Sequence, residues 1–83
     1  MSKNVTKNFK KKSMSKRLVF LLNGQQYFTE YDLTILELIN YFNYSNSLFV
    51  LEYNDLICNK KNWDKVIIKN NDKIEIVTIV GGG

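Results

Sequence analysis

The side chains of this 83-residue sequence offer little chemistry of their own. There is no histidine, which removes His-based triads, imidazole proton shuttles near neutral pH and most catalytic zinc sites. One cysteine, Cys58, excludes an internal disulfide framework and any cysteine cluster for zinc or iron–sulfur, and suits a reducing compartment. Cys58 lies in an apolar stretch with no basic residue before Lys60, so nothing lowers its thiol pKa and a buried structural role is expected. The group placed to do chemistry is the end of the sequence. An apolar run to Val80 passes directly into Gly81, Gly82, Gly83 and a carboxylate. Glycine has no Cβ and accepts any φ, so such a segment can thread a narrow channel and present its carboxyl inside another protein's active site. A glycine run alone specifies only flexibility, and the preceding elements must decide its purpose.

Charge divides the chain unevenly. Residues 1–17 hold seven of the twelve bases and no acid, whereas residues 18–83 hold five bases and all eight acids, a net charge of −3. The basic segment contains only Val5, Phe9 and Met14 as sizeable apolar groups, so residues 1–17 are expected to be a disordered extension, with Met14 an alternative start. Its lysines could contact phosphates. The acidic balance of 18–83 and the absence of interleaved basic and aromatic residues argue against a nucleic-acid surface on the folded part. No apolar run approaches the ~20 residues that span a bilayer, and no secretory h-region opens the chain. Alanine and proline are absent while Asn, Lys, Ile and Tyr abound, a usage of AT-rich genomes such as an organelle's. The expected location is the cytoplasm, or the plastid stroma for an organelle-encoded protein.

The elements that must position the glycine run are legible in the pattern. Leu18–Leu22 and the segment around Tyr27–Thr29 flank Asn23-Gly24, a hairpin signal, because both central residues of a type I′ turn need positive φ. Thr34 and Glu37 form a T-x-x-E capping box, and Ile35, Leu38, Ile39 and Phe42 recur with helical spacing, predicting one helix ending near Asn43. Leu48–Tyr53 and Leu56–Cys58 predict two further strands turned at Asn54-Asp55, a polar loop runs from Asn59 to Asp64, and Asn70-Asn71-Asp72 predicts a turn with Asn71 left-handed. Ile74–Val80 is the last strand. Its alternation puts Ile74, Ile76, Thr78 and Val80 on one face and Glu75, Val77 and Ile79 on the other. If Glu75 meets water, Val77 and Ile79 form an apolar docking patch beside the glycines. Trp63 is expected to plug the core. The expected architecture is α+β, a mixed sheet of four to five strands with one main helix on one face.

With the hairpin, the capped helix Thr34–Ile39, Trp63 after a short polar stretch and the ending Glu75–Gly83, residues 18–83 resemble the ubiquitin-like β-grasp sulfur carriers, most of all the ThiS-type carriers of thiamine biosynthesis. Asn70-Asn71-Asp72 departs from the Asp-Gly-Asp frequent in that family, at modest cost since Asn tolerates positive φ. The resemblance implies that the chain is no enzyme and holds no catalytic residue, metal or bound cofactor. It implies that a partner activating enzyme, using ATP and Mg²⁺, adenylates the Gly83 carboxylate. Sulfur from a cysteine desulfurase route then forms a thiocarboxylate, which donates sulfur to thiazole synthase while Gly81 and Gly82 thread the partner's active site. Molybdopterin or tRNA thiolation is the alternative acceptor chemistry, and an RNA-binding module using the basic extension is the alternative outside the family.

Overall fold

A computed structural model describes residues 3–4, 13–44 and 48–78. The Asn23-Gly24 signal folds as expected. Both residues take positive φ, +50° and +79°, and the turn joins β2 (Ser13–Leu22) to β3 (Gln25–Tyr31) as an antiparallel pair. Thr34 caps α1 (Ile35–Tyr41). The Glu37 amide donates to Thr34 Oγ1 at 3.1 Å, and the Thr34 amide donates to Glu37 Oε1 at 2.9 Å. The helix closes where expected. Asn43 adopts φ +61°, its amide donates to the Asn40 carbonyl at 3.2 Å, and the Tyr44 amide donates to the Ile39 carbonyl at 3.1 Å. These bonds satisfy carbonyls that the last turn would otherwise leave unpaired.

Seven residues are too few for a helix to persist alone. Packing holds α1, because Ile35, Leu38 and Ile39 are buried against Phe20 and Leu22 of β2, Leu51 of β4 (Phe49–Tyr53), and Ile74 and Ile76 of β6 (Lys73–Thr78). Leu33, Trp63 and Ile68 complete this core. With β1 (Lys3–Asn4) and β5 (Leu56–Ile57), the sheet order is β1-β3-β2-β6-β4-β5. The β2–β6 and β1–β3 pairs are parallel and the others antiparallel, so the sheet is mixed. Strands β2 to β6 with α1 form the expected α+β, β-grasp arrangement, and β1 adds a sixth, two-residue edge strand.

Several boundaries differ from expectation. Strand β2 starts at Ser13, five residues before Leu18, with a register irregularity between them. Lys3–Asn4 and Ser13–Arg17, expected to be disordered, therefore lie in strands. The physical reason is that backbone pairing at a sheet edge needs few apolar side chains, whereas the disorder reading rested on side-chain composition. Arg17 adds a local contact, lying 4.1 Å over the Phe28 ring and 3.9 Å from the Glu30 carboxylate. The remaining residues of the basic segment lie outside the described residues. The loop after β5 contains a 3-10 turn, Lys60–Asn62. Ile67 makes an isolated antiparallel bridge to Thr34.

Candidate functional site

Gly81, Gly82, Gly83 and Ile79 lie outside the described residues, so the site is approached through the strand that leads to them. Strand β6 is central, between β2 and β4. The Leu21 amide donates to the Asp72 carbonyl and the Asn23 amide to the Ile74 carbonyl, each at 2.9 Å. Beyond Leu22 the strand β2 has turned away, and Asn23 takes its place: its Oδ1 accepts the Ile76 amide at 2.7 Å. On the other side β4 pairs with β6 from Tyr53↔Ile74 to Phe49↔Thr78. The last described residues before the glycines are thus held by ladder bonds.

The alternation in β6 puts Ile74 and Ile76 in the core and leaves Val77 53% exposed on the other face. Thr78 stands opposite Phe49 on the helix side but is exposed. On the outer face Val50 lies directly opposite Val77, and Glu52 opposite Glu75. Glu52, Asp55 and Glu75 bring carboxylate oxygens within 4.8 Å of one another. Lys73 joins this group, its Nζ 2.8 Å from Asp55, and that hydrogen bond raises the Lys73 pKa, with further help from the Glu75 charge. The face beside the strand end is therefore an aliphatic pair with an acidic rim. Sequence reading found Val77 but missed Val50, Glu52 and Asp55. The alternation along Phe49–Tyr53 hinted at a face, but only the cross-strand register brings them to Val77.

Cys58, Trp63 and Tyr53 occupy structural roles. Cys58 is half-buried, its Sγ is 3.9 Å from the Asn59 carbonyl, and burial raises its pKa, which keeps it the neutral thiol. Trp63 is buried, stacks on Phe49 with ring centroids 5.3 Å apart, and donates Nε1–H to the Cys58 carbonyl at 3.0 Å. Tyr53, at the end of β4, donates its hydroxyl to Asp72. Tyr27, Tyr41 and Tyr44 pack at the core's edge.

The ThiS family model matches residues 4–83, beginning fourteen residues before Leu18 and so taking in most of the basic segment. An uncharacterized protein ycf40 from Trieres chinensis is 62% identical over 64 residues, covering 77% of this chain and 88% of that protein. The ycf40 protein of Porphyra purpurea is 29% identical over 70 residues, covering 84% of this chain and 99% of its own. Among solved structures, a thiamine biosynthesis protein (ThiS) from Geobacter metallireducens superposes with a TM-score of 0.68 at 20% identity, covering 80% of this chain and 100% of that one.

Proposed function

The chain belongs to the ThiS family, and from that premise we propose that it is a sulfur carrier for the thiazole of thiamine, a protein co-substrate and not an enzyme. Its working group is the Gly83 carboxylate. A carboxylate resists nucleophiles because delocalised negative charge shields its carbon. The activating partner, with ATP and Mg²⁺, joins it to AMP and releases pyrophosphate. A persulfide from the cysteine desulfurase route displaces AMP. A thiol then cleaves the resulting S–S bond, leaving a thiocarboxylate on Gly83 and a disulfide on the donor side. Thiazole synthase takes that sulfur.

The observation that carries this reading is the family match running through Gly83, on a strand tied on both sides up to Ile76 and by β4 up to Thr78. A fixed strand followed by three glycines separates the two requirements of a carrier, a rigid recognition surface and a slim reactive end. Val77 with Ile79 forms the docking patch. Val50 widens it, and Glu52 and Glu75 favour a partner surface carrying Lys or Arg around an apolar centre. The ycf40 relatives support a plastid protein, with the stroma as its compartment.

The acceptor is tested by complementation. A bacterial strain lacking its own thiamine sulfur carrier should grow without thiamine when it expresses this chain with its cognate activating enzyme. Failure of that rescue, with restored molybdopterin or tRNA thiolation in the corresponding carrier-deficient strains, would replace thiazole by one of those acceptors.

A further inference from the structure

A groove of about 300 Å³ opens between α1 and the β4–β5 edge. Leu36, Leu48, Phe49, Ile57, Trp63 and Lys60 contribute to its lining. Leu48 and Ile57 stand 70% and 69% exposed on its rim. Of its lining residues Val50 alone also belongs to the docking patch proposed above, and the groove's chemistry is specific: an aliphatic and aromatic trough with Lys60 the one cation among its lining residues.

We propose that the groove is the resting berth of this chain's own C-terminal segment, Ile79–Gly83, which shields the reactive carboxyl between encounters with partners. This rests on the carrier reading and adds a regulatory state to it. Three observations select this occupant. The first is where the segment begins. Thr78 pairs with Phe49, a groove residue, and because β6 runs antiparallel to β4 the chain leaves Thr78 toward Leu48 on the groove rim. The second is length. Five residues reach about 17 Å when extended, while the sheet order β6-β4-β5 puts the β5 strip about 10 Å from β6. The third is chemical order. Ile79 and Val80 come first and suit the apolar lining, and the carboxylate comes last and suits Lys60. The contact is necessarily weak. A surface ion pair is worth little, and a short tether supplies an effective concentration in the millimolar range. A weak berth is what a carrier requires, since the activating enzyme must withdraw the segment.

The test compares amide and Trp63 indole N–H resonances of the full chain with those of a chain ending at Thr78. Loss of the segment should shift Trp63, Ile57 and Lys60 while leaving the β2–β3 hairpin unmoved. In the full chain, Leu36→Lys and Lys60→Glu should move the same resonances toward the truncated positions. Each should also raise carboxypeptidase trimming of the glycines roughly two- to fivefold, as expected for a weakly protected segment. Unchanged groove resonances on truncation would overturn the proposal. So would groove shifts that depend on protein concentration and survive truncation, which would seat a second copy there. Thiocarboxylate formation is read separately by mass: its absence with the groove shifts intact would sink the carrier reading and leave the berth standing.

Discussion

The Tyr53 hydroxyl donates to the Asp72 carboxylate, tying the end of β4 to the turn that opens β6. Asp72 is 6% exposed and also accepts from Asn54 Nδ2 at 3.1 Å and from the Lys69 amide at 2.7 Å. One carboxylate therefore joins two turns, Asn54-Asp55, in which both residues are left-handed, and Asn70-Asn71, in which Asn71 is. Replacing it by Asp72→Ala leaves all three donors without this acceptor. The expected loss is about 2–3 kcal/mol, read as a lower urea midpoint with an unchanged slope.

The alkaline limb of stability follows from the same corner. Burial first, and then the hydrogen bond to Asp72, push the Tyr53 pKa well above the ordinary phenol value, and the Asp55 contact raises Lys73. In both cases the folded state holds its proton more tightly than the unfolded chain. The resulting stabilisation is fully present below the unfolded pKa values near 10 and is lost as pH rises through and beyond them. Unfolding midpoints measured from pH 8 upward should be flat at first and then fall above about pH 10. Tyr53→Phe should flatten part of that fall. An equally steep fall in the variant would remove Tyr53 from the account.

Docking and folding should separate at Val77. Its side chain is exposed opposite Val50, so Val77→Asp should cost the fold no more than about 1 kcal/mol. It also places a third acid between Glu52 and Glu75 in the centre of the patch. Affinity for the activating enzyme, measured by calorimetry, should fall at least about tenfold, equivalent to about 1.4 kcal/mol. Unchanged affinity with an intact fold would move the docking surface elsewhere.

What the sequence makes legible here is what neighbours along the chain decide. Thr34 and Glu37 are three residues apart and form both bonds of their box. Asn23 and Gly24 take the positive φ that their types permit, and Asn71 does so at φ +71° where the resemblance implied a glycine-like turn. The alternation of Ile74, Ile76 and Val77 survives because one face must enter the core. Long-range backbone pairing was not legible. Lys3 opposite Tyr27, the start of β2 at Ser13 and Val50 opposite Val77 depend on register between segments far apart in sequence, and no side-chain pattern encodes it locally. The acidic rim was hidden for the same reason, since Glu52, Asp55 and Glu75 meet only through the β4–β6 ladder and the Asn54-Asp55 turn. The end of the chain is the reverse case. Gly81, Gly82 and Gly83 were singled out by residue type alone, and the structure supplies the strand from which they extend.

Gly83 is the residue proposed to carry sulfur. The direct measurement is the intact mass of the C-terminal peptide after incubation with the cognate activating enzyme, ATP, Mg²⁺ and a persulfide source under reducing conditions. The expected result is a gain equal to the mass difference between sulfur and oxygen, located on Gly83, dependent on ATP and abolished when Gly82 and Gly83 are deleted. An unmodified Gly83 under these conditions, with the enzyme active on its own standard carrier, would contradict it, as would full modification of the truncated chain.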